Sequence, residues 1–175
     1  MSTSERTSGK LWLPLWIILA VAGIAIWVVL VNGPEERRAW RSLLMNFLFF
    51  TSLAGGMVVW PAVAAACNGR WHLKAERLAT AGISFALPSV AALVLLWAGN
   101  GLWAPWQGIH YHQGLWLHPD FVLGRDLAVL LLFWGTALHH RRERRGGDGK
   151  SSGTVLVLIY CLVFSLLGFD LVMAL

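Results

Sequence analysis

Charge and cysteine are both scarce in this chain. Only 13% of its 175 residues are Asp, Glu, Lys or Arg, against about 25% in a soluble globular domain. So few charges, gathered between long charge-free stretches, leave no room for a soluble domain of any size. The cysteines are Cys67 and Cys161, and neither sits in a CxxC or CxxCH arrangement. Covalent c-type haem attachment and a thiolate metal centre are therefore unsupported. Both lie at or within apolar runs and read as buried or lipid-side thiols. Histidine is missing from the middle of every apolar run: positions 72, 110, 112, 118, 139 and 140 all fall in links or at run edges. A b-type haem held between histidines inside the membrane is thus not expected. An internal repeat and a midplane charge, the marks of many secondary transporters, are lacking as well.

What the chain has is apolar length. Of its residues 57% are hydrophobic, and they fall into runs long enough to cross a bilayer as helices. The first, 11–31, exceeds a secretory signal core of about 7–15 residues. It ends in Asn32-Gly33-Pro34 without a small-x-small cleavage site, and we read it as a retained span. Trp12 and Trp16 mark its leading edge. Four further spans follow at about 42–67, 78–98, 121–138 and 154–175. The expected fold is all-α: a membrane bundle of about five transmembrane helices, a cytoplasmic tail (1–10) and a leading helix joined to a four-helix bundle over 42–175. In span two, Ser52 and Gly56 form a small-x-x-x-small pair suited to close helix contact, Pro61 predicts a kink, and Asn46 calls for a protein partner. Span three holds Pro88, with Gly82, Ala86 and Ser89 as small contact residues. The last span reaches Leu175 without a polar stop. That suggests a fragment of a longer protein, or a second polypeptide that meets the chain there.

The net charge of +5 belongs to the links, where it suits anionic headgroups and topology rather than nucleic acid. Lys and Arg number two in the tail, three in the second link and five in the loop 139–150. The opposite side has three in the first link and Arg125. Ten against four places the N-terminus in the cytoplasm and the C-terminus outside. The stretch 99–120 also falls outside. It holds Trp103, Trp106, Tyr111 and Trp116 with His110, His112 and His118 and no Lys or Arg, as an interfacial loop would.

Ionisable groups at membrane depth are costly and usually meet protein or a water path. Asp170, towards the outer end of span five, is therefore the first candidate for a proton-accepting group, with an interfacial capping role as the alternative. Arg125 and Asp126 open span four at similar depth. Adjacent residues do not share a helix face, so each must look to another helix, and Arg125 can pair with Asp170. Of the loop histidines, His112 is the candidate to take a proton, since imidazole titrates near neutrality. A metal site is not expected, because the histidines lack a supporting carboxylate shell beyond Asp120. Glu76, among Lys74 and Arg77, reads as local charge compensation.

Three blocks, taken in order, resemble the NrfD-like family of polysulfide reductase membrane subunits, most closely the quinol-binding membrane subunits of bacterial alternative complex III. They are Asn46-Phe47-Leu48-Phe49-Phe50-Thr51-Ser52-Leu53-Ala54-Gly55-Gly56, then Trp116-Leu117 with Phe121 and Arg125, then Phe164 to Met173 around Asp170. The likeness covers about residues 40–175 and corresponds to the N-terminal half of such subunits. It implies a subunit of a quinol:electron-acceptor (cytochrome c type) oxidoreductase in the bacterial inner membrane. Quinol would be the substrate, with no haem or iron–sulfur cluster in this chain. Iron–sulfur and cytochrome subunits, other membrane subunits and a possible second-half chain would be partners. By that resemblance Asp170 and Arg125 match family positions, and Trp116, Asn46 and Asp126 would border the quinol headgroup. Where the family has paired arginines followed by glutamate after span two, this chain reads Lys74-Ala75-Glu76-Arg77. The alternatives are a structural or proton-conducting subunit of such a complex, or an unrelated small transporter or scaffold. The topology predicts that alkaline phosphatase fused at Gly108 is active and at Gly147 inactive; the reverse pattern would invert the assignment.

Overall fold

The computed structural model describes residues 3–67, 72–104, 118–145 and 150–172. Its helices are α1 (Thr3–Val31), α2 (Glu36–Ala66), α3 (His72–Ser84), α4 (Ala86–Ala98), the single turn α5 (Asn100–Trp103), α6 (Pro119–Arg145) and α7 (Lys150–Leu167). A π-helical turn, Gly168–Val172, closes α7. Four segments are long and apolar enough to cross a membrane: Glu36–Ala66, Arg77–Ala98, Asp120–Arg144 and Ser151–Val172. Ile17–Val31 is a shorter apolar helix. The protein is an all-α, multi-span membrane bundle.

Its surface has the character that lipid demands. Ile18, Val29, Phe49, Leu87, Leu158 and Leu162 are among many large apolar side chains left exposed along the spans. Lipid tails are as apolar as these groups, so association between the helices relies on close packing and hydrogen bonds. α2 is the central element, touching α1, α3, α4, α5 and α7, while α6 packs on α4 and α7. The core runs from Leu44 and Phe47 through Leu93, Leu96 and Leu130 to Leu156 and Leu167. At its middle Phe133, Tyr160 and Phe164 meet as a ring cluster with centroids 4.6–5.9 Å apart. α1 packs on α2, where Trp27 meets Trp40 edge-on at 5.2 Å and donates its indole N–H to the Ala39 carbonyl.

Several expectations need correction. Span three is interrupted. Phe85 forms a turn between α3 and α4, its amide bonding the Gly82 carbonyl. The cause is Pro88, which lacks an amide hydrogen and whose ring crowds the carbonyl of Ser84. Pro61, by contrast, lies inside α2, whose helix carries on past it to Ala66 as a kinked helix can. The close-packing face of α2 is not Ser52/Gly56: Ser52 points outward and Gly56 is half-buried. The tight positions include Gly55, where a Cβ would come within 2.7 Å of the Phe164 ring, and Gly82, where it would meet the Ala54 carbonyl at 2.6 Å. Trp103 is buried, not interfacial, and donates to the Leu96 carbonyl at 2.9 Å. The basic stretch is no loop as far as Arg145, because α6 carries on through it. His139 and His140 are accordingly helical, the former 3.1 Å from Glu143 one turn on. Cys67 and Cys161 are free and exposed, hence on the outside of the bundle.

Gly82 faces backbone that cannot yield. Gly82→Ala should therefore lower stability in detergent by about 1–3 kcal/mol. Gly23→Ala, which meets nothing within 4 Å, should leave the melting temperature unchanged or slightly raised.

Candidate functional site

α6 presents to the bundle a stripe spaced by threes and fours: Leu123, Asp126, Leu130, Phe133 and Ala137, all buried. This spacing is the apolar seam of a packed helix, with an aspartate at one of its positions. Asp126 is 0% exposed. On α7 the corresponding stripe is Leu156, Val163 and Leu167, continued by Leu171 in the π turn. That turn holds one residue more than an α-helical turn and brings Asp170 beside α6. π turns of this kind occur often at functional sites.

The two stripes join three ionisable groups at the end of the bundle formed by the start of α6 and the close of α7. The Arg125 guanidinium donates to the Asp170 carboxylate in a direct ion pair. Their side chains are only 14% and 18% exposed. The pairing expected from similar depth is formed, across 45 residues of sequence. Phe121, one turn before Arg125, places its ring centroid 6.0 Å from the guanidinium carbon, at the limit of a cation–π contact. The Asp126 carboxyl lies near enough to Asp170 for the two acids to interact directly, and it also feels the charge of Arg125. Neither Asp126 oxygen has a hydrogen bond of ordinary length and angle in this arrangement, so the two carboxyls are neighbours rather than a settled hydrogen-bonded pair. A buried polar group without a protein partner is uncommon.

The remaining candidates divide. Asn46 is exposed on α2 and donates its amide to the Ser42 carbonyl one turn back at 2.8 Å. An asparagine amide reaches that carbonyl without help from another helix. His118 and Asp120 are exposed, 3.9 Å apart, and Asp120 also accepts from the Trp97 indole at 3.0 Å. His110, His112, Trp116, Trp106 and Tyr111 lie outside the described residues, as do the side chains of Trp12, Trp16, Lys74 and Glu76. Among the described residues no group of three His, Cys, Asp or Glu side chains is placed to hold a metal ion.

Two features were not read from the sequence. Asp126 appeared as a residue at the mouth of span four; its place in the 123–126–130–133–137 stripe was the available sign that it is a core position. Ser89 is wholly buried and accepts the Trp134 indole N–H at 2.9 Å, which ties α4 to α6. Nothing in the spacing of the two residues points to that bond.

The fold and this cluster define a multi-pass helical membrane protein with an arginine and two aspartates packed between two of its spans. Comparison with known proteins finds no matching family model, no matching curated protein and no matching solved structure.

If the ion pair couples α6 to α7, Arg125→Met and Asp170→Asn should each destabilise the detergent-purified chain. The double variant should lose less than the two together, with a coupling of about 1–3 kcal/mol by thermal or chemical unfolding. Strict additivity would show that the pair holds nothing.

Proposed function

We propose that this membrane protein is a subunit of a quinol:electron-acceptor oxidoreductase complex, of the cytochrome c-linked type, and that the Arg125–Asp126–Asp170 cluster accepts quinol protons at the outer face. The observation that carries the reading is the burial of Asp126 beside the Arg125–Asp170 pair. Two carboxyls and one guanidinium are electrically neutral when they hold a single proton between them, and a low-dielectric setting favours the neutral form. Gain or loss of a proton takes the cluster to +1 or −1, so it stays neutral only when it takes up one proton as it passes another on. The positive-inside count puts it on the outer side, and the three blocks that resemble the NrfD-like subunits support the same assignment.

Oxidation of a quinol to a quinone releases two electrons and two protons. In this reading the electrons leave to the iron–sulfur and cytochrome subunits of the complex. The Asp170 carboxylate, oriented by Arg125, accepts a hydrogen bond from a quinol hydroxyl and then its proton. Asp126, enclosed behind it, is the relay. In this reading Trp116 and His112, which precede α6 in the sequence, would flank the headgroup, with His112 available for the second proton.

A second reading is a proton-conducting subunit without a quinol site. The full enclosure of Asp126 favours it, since a relay group needs no contact with substrate. The two readings separate in the native complex. Under the first, Asp170→Asn lowers quinol turnover by on the order of 100-fold while the complex still assembles. Under the second, turnover persists and the number of protons moved per electron falls. Full turnover with an unchanged proton ratio in Asp170→Asn and Asp126→Asn would refute both.

A further inference from the structure

Ser84, Ser89 and Thr136 each turn the side-chain hydroxyl back to a carbonyl of their own chain, three or four residues earlier, at 2.6–3.1 Å. Thr51 does not. It is 1% exposed, and its Oγ1 meets no hydrogen-bond partner in the protein. Leaving a buried hydroxyl unbonded is costly, and valine would fill the same position without that cost.

Its neighbours on α2 fix where Thr51 points. Gly55 meets the Phe164 ring of α7, and the Val58 side chain meets Gly82 of α3. At about 100° per residue, Thr51 lies about 40° from Gly55 and about 20° from Val58 on the other side. It therefore faces between those two helices, into the bundle. On α6, Trp134 bonds Ser89 of α4 and Arg125 bonds Asp170 of α7. Asp126 lies about 80° from Trp134 and about 100° from Arg125 on the other side, so it too faces inward. α2 and α6 each pack on both α4 and α7, which sets them diagonally across the bundle. The ring pair Phe133–Phe164 gives a common level, 5.4 Å between centroids. Thr51 lies one turn outward of Gly55, about 6 Å, and Asp126 two turns outward of Phe133, about 10 Å. The two side chains thus face the same space from opposite corners at nearly the same depth. Both Asp126 oxygens also lack an ordinary hydrogen bond.

We propose that Thr51 and Asp126 hold an internal water molecule between them, a hydrogen-bonded link from α2 to α6. Helices in contact lie about 8–10 Å apart, so diagonal ones lie about 13 Å apart. That is too far for a hydroxyl to meet a carboxyl directly and suits one bridging molecule. A buried water takes two to four polar partners, and the Thr51 hydroxyl with the two Asp126 oxygens supplies them. The charge of Arg125, which Asp126 already feels, disfavours a cation in the same place. The water site stands without the quinol reading. Its consequence for proton transfer rests on that reading: the water gives Asp126 an exchange partner besides Asp170.

The test uses the full chain in lipid nanodiscs with methyl-labelled threonine. Nuclear magnetic resonance reads magnetisation transfer from water to the Thr51 methyl group, which bulk water does not reach. The unsubstituted chain should show a cross-peak. Asp126→Leu, which leaves the Thr51 hydroxyl in place, should lose it. Thermal unfolding gives a second readout. Thr51→Val strands the carboxyl and should lower the melting temperature by about 2–4 °C, whereas in the Asp126→Leu background it should raise it. Thr51→Ser, which keeps the hydroxyl, should stay near the unsubstituted chain. With choline as the only added cation both readouts should be unchanged. An absent cross-peak, one that survives Asp126→Leu, or a Thr51→Val shift of the same sign in both backgrounds would overturn the proposal. Loss of the cross-peak in choline would mean that a bound cation holds the site and would overturn it too. Should Asp126→Leu not fold, a melting temperature raised by Thr51→Val alone would be enough to do so. Neither readout involves quinol, so this site and the quinol reading can fail separately.

Discussion

A peptide group inside hydrocarbon must find its hydrogen bond within the protein, and the architecture follows from that requirement. It turns each long apolar run into a helix and confines irregular backbone to the ends of the spans or to places enclosed by protein. The turn at Phe85 is such a place. Pro88 removes one amide, and the amides of Phe85 and Ser89 are satisfied across the break. The π turn at 168–172 is the other departure from regular helix, and it lies where α7 meets α6 and the Arg125–Asp170 ion pair closes the contact.

Once the helices exist, lipid supplies little force to gather them, because a leucine is as well solvated by acyl chains as by protein. Contact must come from shape and from polar groups that lipid cannot satisfy. Both are visible. Gly55 receives the Phe164 ring and Gly82 lies against the α2 backbone, while Ser89 and Trp134 bond across α4 and α6. The Arg125–Asp170 pair does the same for α6 and α7 with full charges, in a setting only partly open to solvent, where such an interaction is much stronger than at a water-exposed surface. Asp126 sits in the middle of this packing. Its carboxyl occupies a seam position that an apolar residue would fill at lower cost, and that makes the cluster a candidate site rather than a simple clamp.

The two ends of the bundle carry different chemistry. One has an arginine balanced by acids and enclosed between two helices. The other has arginines on a helix that extends past the apolar zone. The first arrangement suits the relay of a proton, because taking one up while passing another on keeps the total charge at zero.

The spans, their order and the depth shared by Arg125 and Asp170 were legible in the sequence. Each depends on hydrophobicity and length along the chain, which lipid reads directly. The faces were not. Ser52/Gly56 and Gly55 differ by a fraction of a helical turn, and only the position of Phe164 on another helix decides which of them is the contact. Asn46 could have sought a neighbour, but its own helix offered a carbonyl first. Asp126 could have faced water at the end of the bundle, and the packing of Leu123 and Leu130 turned it inward. Hydropathy along one chain thus determined that this protein lies in a membrane and roughly where its charges sit in depth. The rotation of each helix about its axis, and with it every partner those charges meet, came only from the fit of side chains between helices.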